Sequence, residues 1–204
     1  SYGILAHNLF LAVYSGITFY FASGVVGEDF LSRSFHDFNC DTGMKRWGTS
    51  FRMVAIVFYW SKYYEVMDTV IVVMKGRRPL FLQVFHHAGI IPLMWILTRD
   101  GNPLLWVMVC FNSFIHTLMY TYYAISVIVP FPAFRPIMTS MQLAQFAVGN
   151  VLSAYPFFQE TCISEAQKAG LAWTLAYVTF LIFLFGAFAM NQYCKPKKAT
   201  TKKD

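Results

Sequence analysis

Six stretches of the chain, 5–22, 51–74, 80–97, 104–129, 137–155 and 171–190, are dominated by apolar residues, with polar clusters between them. Each is close to the roughly 20 residues that a helix needs to cross hydrocarbon. Strands are excluded, because apolar residues run over both faces without period-2 alternation. The pattern predicts an all-α fold: a polytopic membrane helix bundle with six spans in one unit over residues 1–194, followed by a tail over 195–204.

Composition strengthens that picture. Hydrophobic residues make up 57% of the 204 and charged residues 13%, against about a quarter charged in a soluble domain. The formal charge of +6 would hint at nucleic acid in a soluble protein. Here Lys195, Lys197, Lys198, Lys202 and Lys203 supply most of it, which points to a solvated tail beside a membrane and to no nucleic-acid partner. Lys202 and Lys203 lie one position too close to the terminus for a standard dilysine retrieval signal. No cleavable secretory leader is evident, and the start at Ser1 reads as a fragment or a processed chain.

The turns orient the spans. Lys75, Gly76, Arg77, Arg78 and Pro79 form a strongly basic turn, and Pro130, Pro132, Arg135 and Pro136 break the chain further on. With the lysine tail in the cytoplasm, both turns fall on the cytoplasmic side, as the bias of short loops requires. The loop 23–50, the turn 99–102 and the loop around Glu160, Glu165 and Lys168 fall opposite. Cys40 and Cys162 then share the non-cytoplasmic side, where a disulfide is permitted but not required by spacing. Cys110, inside an apolar run, is a small packing residue.

Polar residues inside the spans are concentrated. Lys62, Glu65 and Asp68 recur every three residues in the second span and share a slowly turning face, so the set can point inward and partly neutralise itself. Charges in hydrocarbon pair, line a cavity or do chemistry. Gln83 and His86 share a face of the third span, with His87 rotated by about 100° as a neighbour. Asn112, His116, Met119, Tyr120 and Tyr123 trace a stripe along the fourth, and Gln142 and Gln145 share a face of the fifth. Any one of these could be interhelical glue; their conjunction over four consecutive spans points to a site. His7 and His36 lack that context.

Metal binding is the first reading of His86, His87 and His116. A di-iron site needs many more imidazoles, and one zinc on His86, His116 and a carboxylate is the narrower alternative. Paired imidazoles without a metal suit acyl and proton transfer better, because each can serve as nucleophile, base or acid near neutral pH.

The string from Lys62 to Lys75 with Glu65, Asp68 and Thr69, then Gln83-Val84-Phe85-His86-His87, then His116 through Met119-Tyr120 to Tyr123, then Thr139 through Gln142 to Gln145-Phe146, resembles the very-long-chain fatty acid elongase (ELO) family. The resemblance implies a seven-helix fold of the endoplasmic reticulum membrane, here without its first helix, with the tail cytoplasmic. It also implies decarboxylating condensation of a long acyl-CoA with malonyl-CoA to a 3-oxoacyl-CoA, CoA and carbon dioxide, without metal or other cofactor. The implied partners are those two substrates, membrane lipids, the reductases and dehydratase of the cycle, and a second copy as a homodimer. Most animal and fungal members carry histidine where this chain has Gln83; the glutamine form resembles microbial and algal elongases of polyunsaturated chains.

On that resemblance His86 is expected to carry the acyl group as an acyl-imidazole and His116 to handle malonyl decarboxylation, with His87 and Gln83 beside them. Lys62, Lys75, Arg77 and Arg78 are candidates for CoA phosphates, and the remaining polar span residues support the site. An apolar tunnel would store the acyl chain, closed by residues 14–21, Trp95 or residues 180–188. The competing function class is a membrane transporter or channel with an intramembrane polar site; the two halves show no convincing repeat in its favour.

Overall fold

Continuous apolar runs fold as helices because hydrocarbon offers no partner for a free backbone N–H or C=O. A computed structural model describes residues 2–194, and every regular element among them is helical. The lysine tail at 195–204 lies outside the described residues.

Three runs are long and apolar enough to cross a membrane: α1 (Tyr2–Ser32), α5 (Phe81–Arg99) and Glu165–Cys194. The last consists of α8 (Glu165–Ala189) continued by a π-helical turn, Met190–Cys194. α6 (Leu105–Ile128) and α7 (Arg135–Phe158) have 24 residues each. They are long enough, but their stripes of Asn, Gln, His, Ser and Thr dilute the apolar character that marks the other three.

Two boundaries differ from the sequence pattern. Residues 23–32, expected as loop, continue α1 to Ser32. The following segment is also ordered, with α2 (Phe35–Cys40) and a 3₁₀ turn at Thr42–Met44. The second expected span is two helices, α3 (Phe51–Tyr64) and α4 (Val66–Met74), separated at Glu65. There the Asp68 N–H donates to the Glu65 carbonyl at 3.1 Å, an i to i−3 bond that tightens the turn.

α1 packs along α6, α8 joins α5 to α7, and α3 leans on α1 and α5. The main core is built where α3, α5, α6 and α8 meet, around the fully buried Leu93, Met94, Leu97, Leu105 and Val109. Gly89 is required by this packing: a Cβ there would lie 2.4 Å from the Tyr177 ring. Large apolar side chains such as Leu31, Trp60, Phe158 and Phe183 point outward, as lipid-facing helices require.

One end of the bundle is fastened by charge and a covalent bond. Cys40 and Cys162 form a disulfide with their Cα atoms 4.9 Å apart. Arg46 is buried beside it, donating to Asp29 Oδ2 at 2.8 Å, to the Pro103 carbonyl at 3.2 Å and to the Phe38 carbonyl. Burial lowers the Arg46 guanidinium from its usual value, while Asp41 and Asp29 oppose that shift. Arg33 bridges Asp29 and Asp41, each at 3.1 Å. Asp29 sits on the extension of α1, so the carboxylate that made residues 23–32 resemble a loop is a partner for two arginines.

Candidate active site

The turn at Glu65 aims three polar groups into the bundle. Lys62 and Glu65 are almost fully buried, and the Lys62 ammonium donates to Glu65 Oε1 and to Asn112 Oδ1, each at 2.7 Å. It also lies over the Phe58 ring, 4.0 Å from the centroid. Ser61 adds a hydroxyl donated to the same Glu65 oxygen at 3.0 Å. A buried ammonium is tolerable with its charge matched and its donors engaged in this way.

α6 supplies the facing wall, because Asn112, His116 and Tyr120 recur at four-residue steps and so stack along one side. His116 is buried, with Nδ1 3.5 Å from Glu65 Oε1. That spacing faces the ring toward the carboxylate without a hydrogen bond, a contact of the kind that tightens when substrate binds. Tyr120, fully buried, donates to Asp68 Oδ2 at 2.6 Å.

α5 brings His86 and His87, whose rings lie 5.4 Å apart. The Tyr177 hydroxyl of α8 donates to the His86 carbonyl at 2.9 Å, fastening the backbone that carries the imidazole. Several buried polar atoms here have no hydrogen-bond partner among the described protein atoms: Glu65 Oε2, Thr69 Oγ1, His86 Nδ1, His87 Nδ1 and His116 Nδ1. Buried polar groups are nearly always paired, so this gathering makes the centre the candidate site.

His86 opens on a narrow, mostly apolar cleft between α5, α6, α7 and α8. Asn112 and Gln145 share its histidine end, and Val107, Gly149 and Ser153 lie toward the disulfide end. Its water-sized space is only about 30 Å³, a slot rather than a chamber.

The remaining expected residues divide. Gln83 is half-buried one turn before His86 and His87. Gln142 contacts Met119 Sδ at 3.2 Å, and Tyr123, 42% exposed, stands at the edge against Tyr120. Lys75, Arg77 and Arg78 are exposed on the turn after α4. Lys62 is not with them: it is deep and paired, so it does not stand at a mouth open to phosphates. Of the residues named as tunnel ends, Leu181 is buried and lines the cleft with Val107, Gly149, Ser153 and Val178, whereas Trp95, Phe180 and Phe183 are exposed.

His7 is the main correction. Expected to be without context, it is buried on α1 with Nε2 2.8 Å from Asp68 Oδ1. The signal for it was a polar stripe on an apolar helix, since His7, Asn8, Ser15 and Thr18 are all buried. Among the described residues no group of three or more His, Cys, Asp or Glu side chains is arranged to hold a metal ion.

The model of the ELO: GNS1/SUR4 family matches residues 2–201. The chain belongs to this fatty acid elongase family. Fatty acid elongase sre1 of Dictyostelium discoideum is 31% identical over 199 residues, covering 93% of this chain and 71% of that protein. Fatty acid elongase 2 of Trypanosoma brucei brucei is 32% identical over 159 residues, 72% of this chain and 58% of that protein. Very long chain fatty acid elongase 1 of Homo sapiens is 31% identical over 156 residues, 71% and 54% respectively. The chain thus spans little more than half the length of several elongases that it matches. It is a multi-pass membrane protein of an enzymatic family, which sets the transporter reading aside.

Proposed function

We propose that the full-length protein condenses a long-chain acyl-CoA with malonyl-CoA, as a 3-oxoacyl-CoA synthase of fatty acid elongation. The observation that carries this reading is the buried Lys62–Glu65–Asn112–His116 array standing beside an apolar cleft that His86 lines. An imidazole nitrogen of His86 attacks the thioester carbonyl, forming an N-acyl bond as the C–S bond breaks. The CoA thiolate leaves and takes up a proton. Malonyl-CoA then loses carbon dioxide, and the resulting enolate carbon attacks the acyl-imidazole, expelling the imidazole. Splitting one condensation into two transfers lowers each barrier.

His116 stabilises the enolate oxygen in this scheme. Glu65 facing its Nδ1 orients the ring, leaving Nε2 for substrate. Lys62 balances the Glu65 charge, and the exposed Lys75, Arg77 and Arg78 meet the CoA phosphates. The reading implies six crossings in the endoplasmic reticulum membrane with the basic turns and tail cytoplasmic. It also implies supply to separate reductases and a dehydratase. The acyl chain runs from His86 toward the disulfide end, and His87 and Gln83 shape the entrance.

The glutamine form at position 83 resembles that of elongases of polyunsaturated chains and supports such a substrate here; its amide can orient a group but does not exchange a proton near neutral pH. The test supplies matched saturated and polyunsaturated C18 and C20 acyl-CoAs with labelled malonyl-CoA to the full-length protein in membranes. Label in products two carbons longer, favouring the polyunsaturated series, is expected. No label in any series would overturn the condensation, and equal or better extension of the saturated series would overturn the preference alone.

A further inference from the structure

We infer that His7 is a positioning residue of the reaction centre, acting through Asp68 and Tyr120 to fix the imidazole of His116. The inference rests on His116 working in the condensation proposed above. His7 Nε2 meets Asp68 Oδ1 at 2.8 Å, and the other oxygen of Asp68 accepts from the Tyr120 hydroxyl at 2.6 Å. The Tyr120 ring, fully buried, presents its edge to His116 at a centroid distance of 5.4 Å and an interplanar angle of 81°. Three helices are thereby joined in one polar line: α1 through His7, α4 through Asp68 and α6 through Tyr120 and His116.

Packing alone does not require this line. α1 already meets α6 through Leu11 and Ala12 against Met119, Tyr120 and Tyr122, an apolar contact that would hold the two helices together with any small residue at position 7. A buried polar pair is weak evidence for stability, and its better-supported use is to select one arrangement among several. Here the selected arrangement is specific. α4 buries no side chain of its own, so the Asp68 carboxylate is its polar attachment to the bundle. Asp68 is also one turn from Glu65, whose carboxylate faces His116. Fixing Asp68 from α1 therefore sets both neighbours of the His116 ring, Tyr120 on one side and Glu65 on the other. His7 Nδ1 lies 3.4 Å from the Tyr64 hydroxyl, which further limits the imidazole's rotation.

The test exploits the shape of amides. Glutamine at position 7 places its NH₂ near the former Nε2 and can still donate to Asp68, whereas asparagine reaches only the Nδ1 position. In the full-length protein, His7→Gln is expected to keep kcat within about threefold, while His7→Asn and His7→Ala lower it about tenfold with the KM for both CoA substrates unchanged. Tyr120→Phe combined with His7→Asn should lose no more than the worse single variant, as two links of one chain must. Val13→Ala, at an exposed site on α1, is the neutral control. A readout independent of turnover comes from ¹⁵N-histidine NMR. The ring signals of His116, identified by their loss in His116→Gln, should shift in His7→Asn and stay in place in His7→Gln. Equal kcat in the Gln and Asn variants, multiplicative losses with Tyr120→Phe, or an unmoved His116 signal would overturn the inference. Absence of product from the wild-type protein would instead count against the proposed condensation, with the NMR result still deciding the role of His7.

Discussion

At the disulfide end, Arg46 is buried with its donors taken by Asp29, Pro103 and Phe38, and Asp41 is held by Arg33 and by the Arg46 and Trp47 backbone N–H groups. Apart from Arg33 Nε, that cluster is satisfied. Midway along the bundle, Lys62 is buried as deeply and engaged with Glu65 and Asn112, yet the second oxygen of Glu65 and one nitrogen on each of three histidines find no partner among the described residues. Both regions bury charge in an apolar surrounding. The first leaves only Arg33 Nε without a partner and reads as a fastening; the second leaves several acceptors and donors open, which on the proposed function are held for substrate.

That contrast predicts which changes damage turnover and which damage the fold. His86→Ala should lower condensation on the order of 10³-fold or more while the thermal midpoint in detergent moves little. Arg46→Met should do the reverse, costing about 3–5 kcal/mol because it leaves buried carboxylates under-compensated. Activity per folded molecule should persist, as measured by parallel unfolding and turnover assays. Cys40→Ser with Cys162→Ser belongs to the same class, at about 2–5 kcal/mol.

Glu65→Gln tests the boundary between the two kinds of cluster. Alone it strands the Lys62 ammonium and is expected to lower both stability and rate. Adding Lys62→Met removes the stranded charge, so the double variant should regain stability while turnover stays down about a hundredfold. Recovery of both would show that the pair is a fastening like Arg46. The smallest effect belongs to the cap of α2, where Ser34 accepts from the Asp37 N–H and its hydroxyl donates to the Asp37 carboxylate at 2.7 Å. The Ser34 hydroxyl, then Thr42, hold Asp37 below the usual carboxylate range. A depressed native value means a contribution that is present above the unfolded carboxylate value and lost as pH falls through the native one. Ser34→Ala should therefore destabilise the protein only slightly near neutral pH, through loss of the cap, and less still in acid, with no change in turnover.

Much of this arrangement was legible in the residues, for identifiable reasons. Helical spans follow from continuous apolar runs, and the inward polar groups follow from three- and four-residue spacing within them. Cys40 and Cys162 could be assigned to one side by counting turns, but their pairing across 122 residues is a tertiary fact. The break at Glu65 was hidden because Lys62, Glu65 and Asp68 fit an unbroken helix equally well. The extension of α1 was hidden because Gly24, Gly27, Glu28 and Asp29 look like a loop until Arg33 and Arg46 are placed beside Asp29. His7 was passed over because its partner lies 61 residues away. Of the two expectations for Lys62, the inward set with Glu65 and Asp68 followed from spacing, while its separation from the exposed basic turn depends on a burial that spacing does not give.

The most direct test of the unsatisfied centre as the place of chemistry is CoA release from a long-chain acyl-CoA in the absence of malonyl-CoA. If His86 takes the acyl group first, rapid mixing of the full-length protein with acyl-CoA alone should liberate a burst of about one CoA per folded molecule. The burst should vanish in His86→Ala and survive in Arg46→Met. No CoA release until malonyl-CoA is added, or an undiminished burst from His86→Ala, would contradict it.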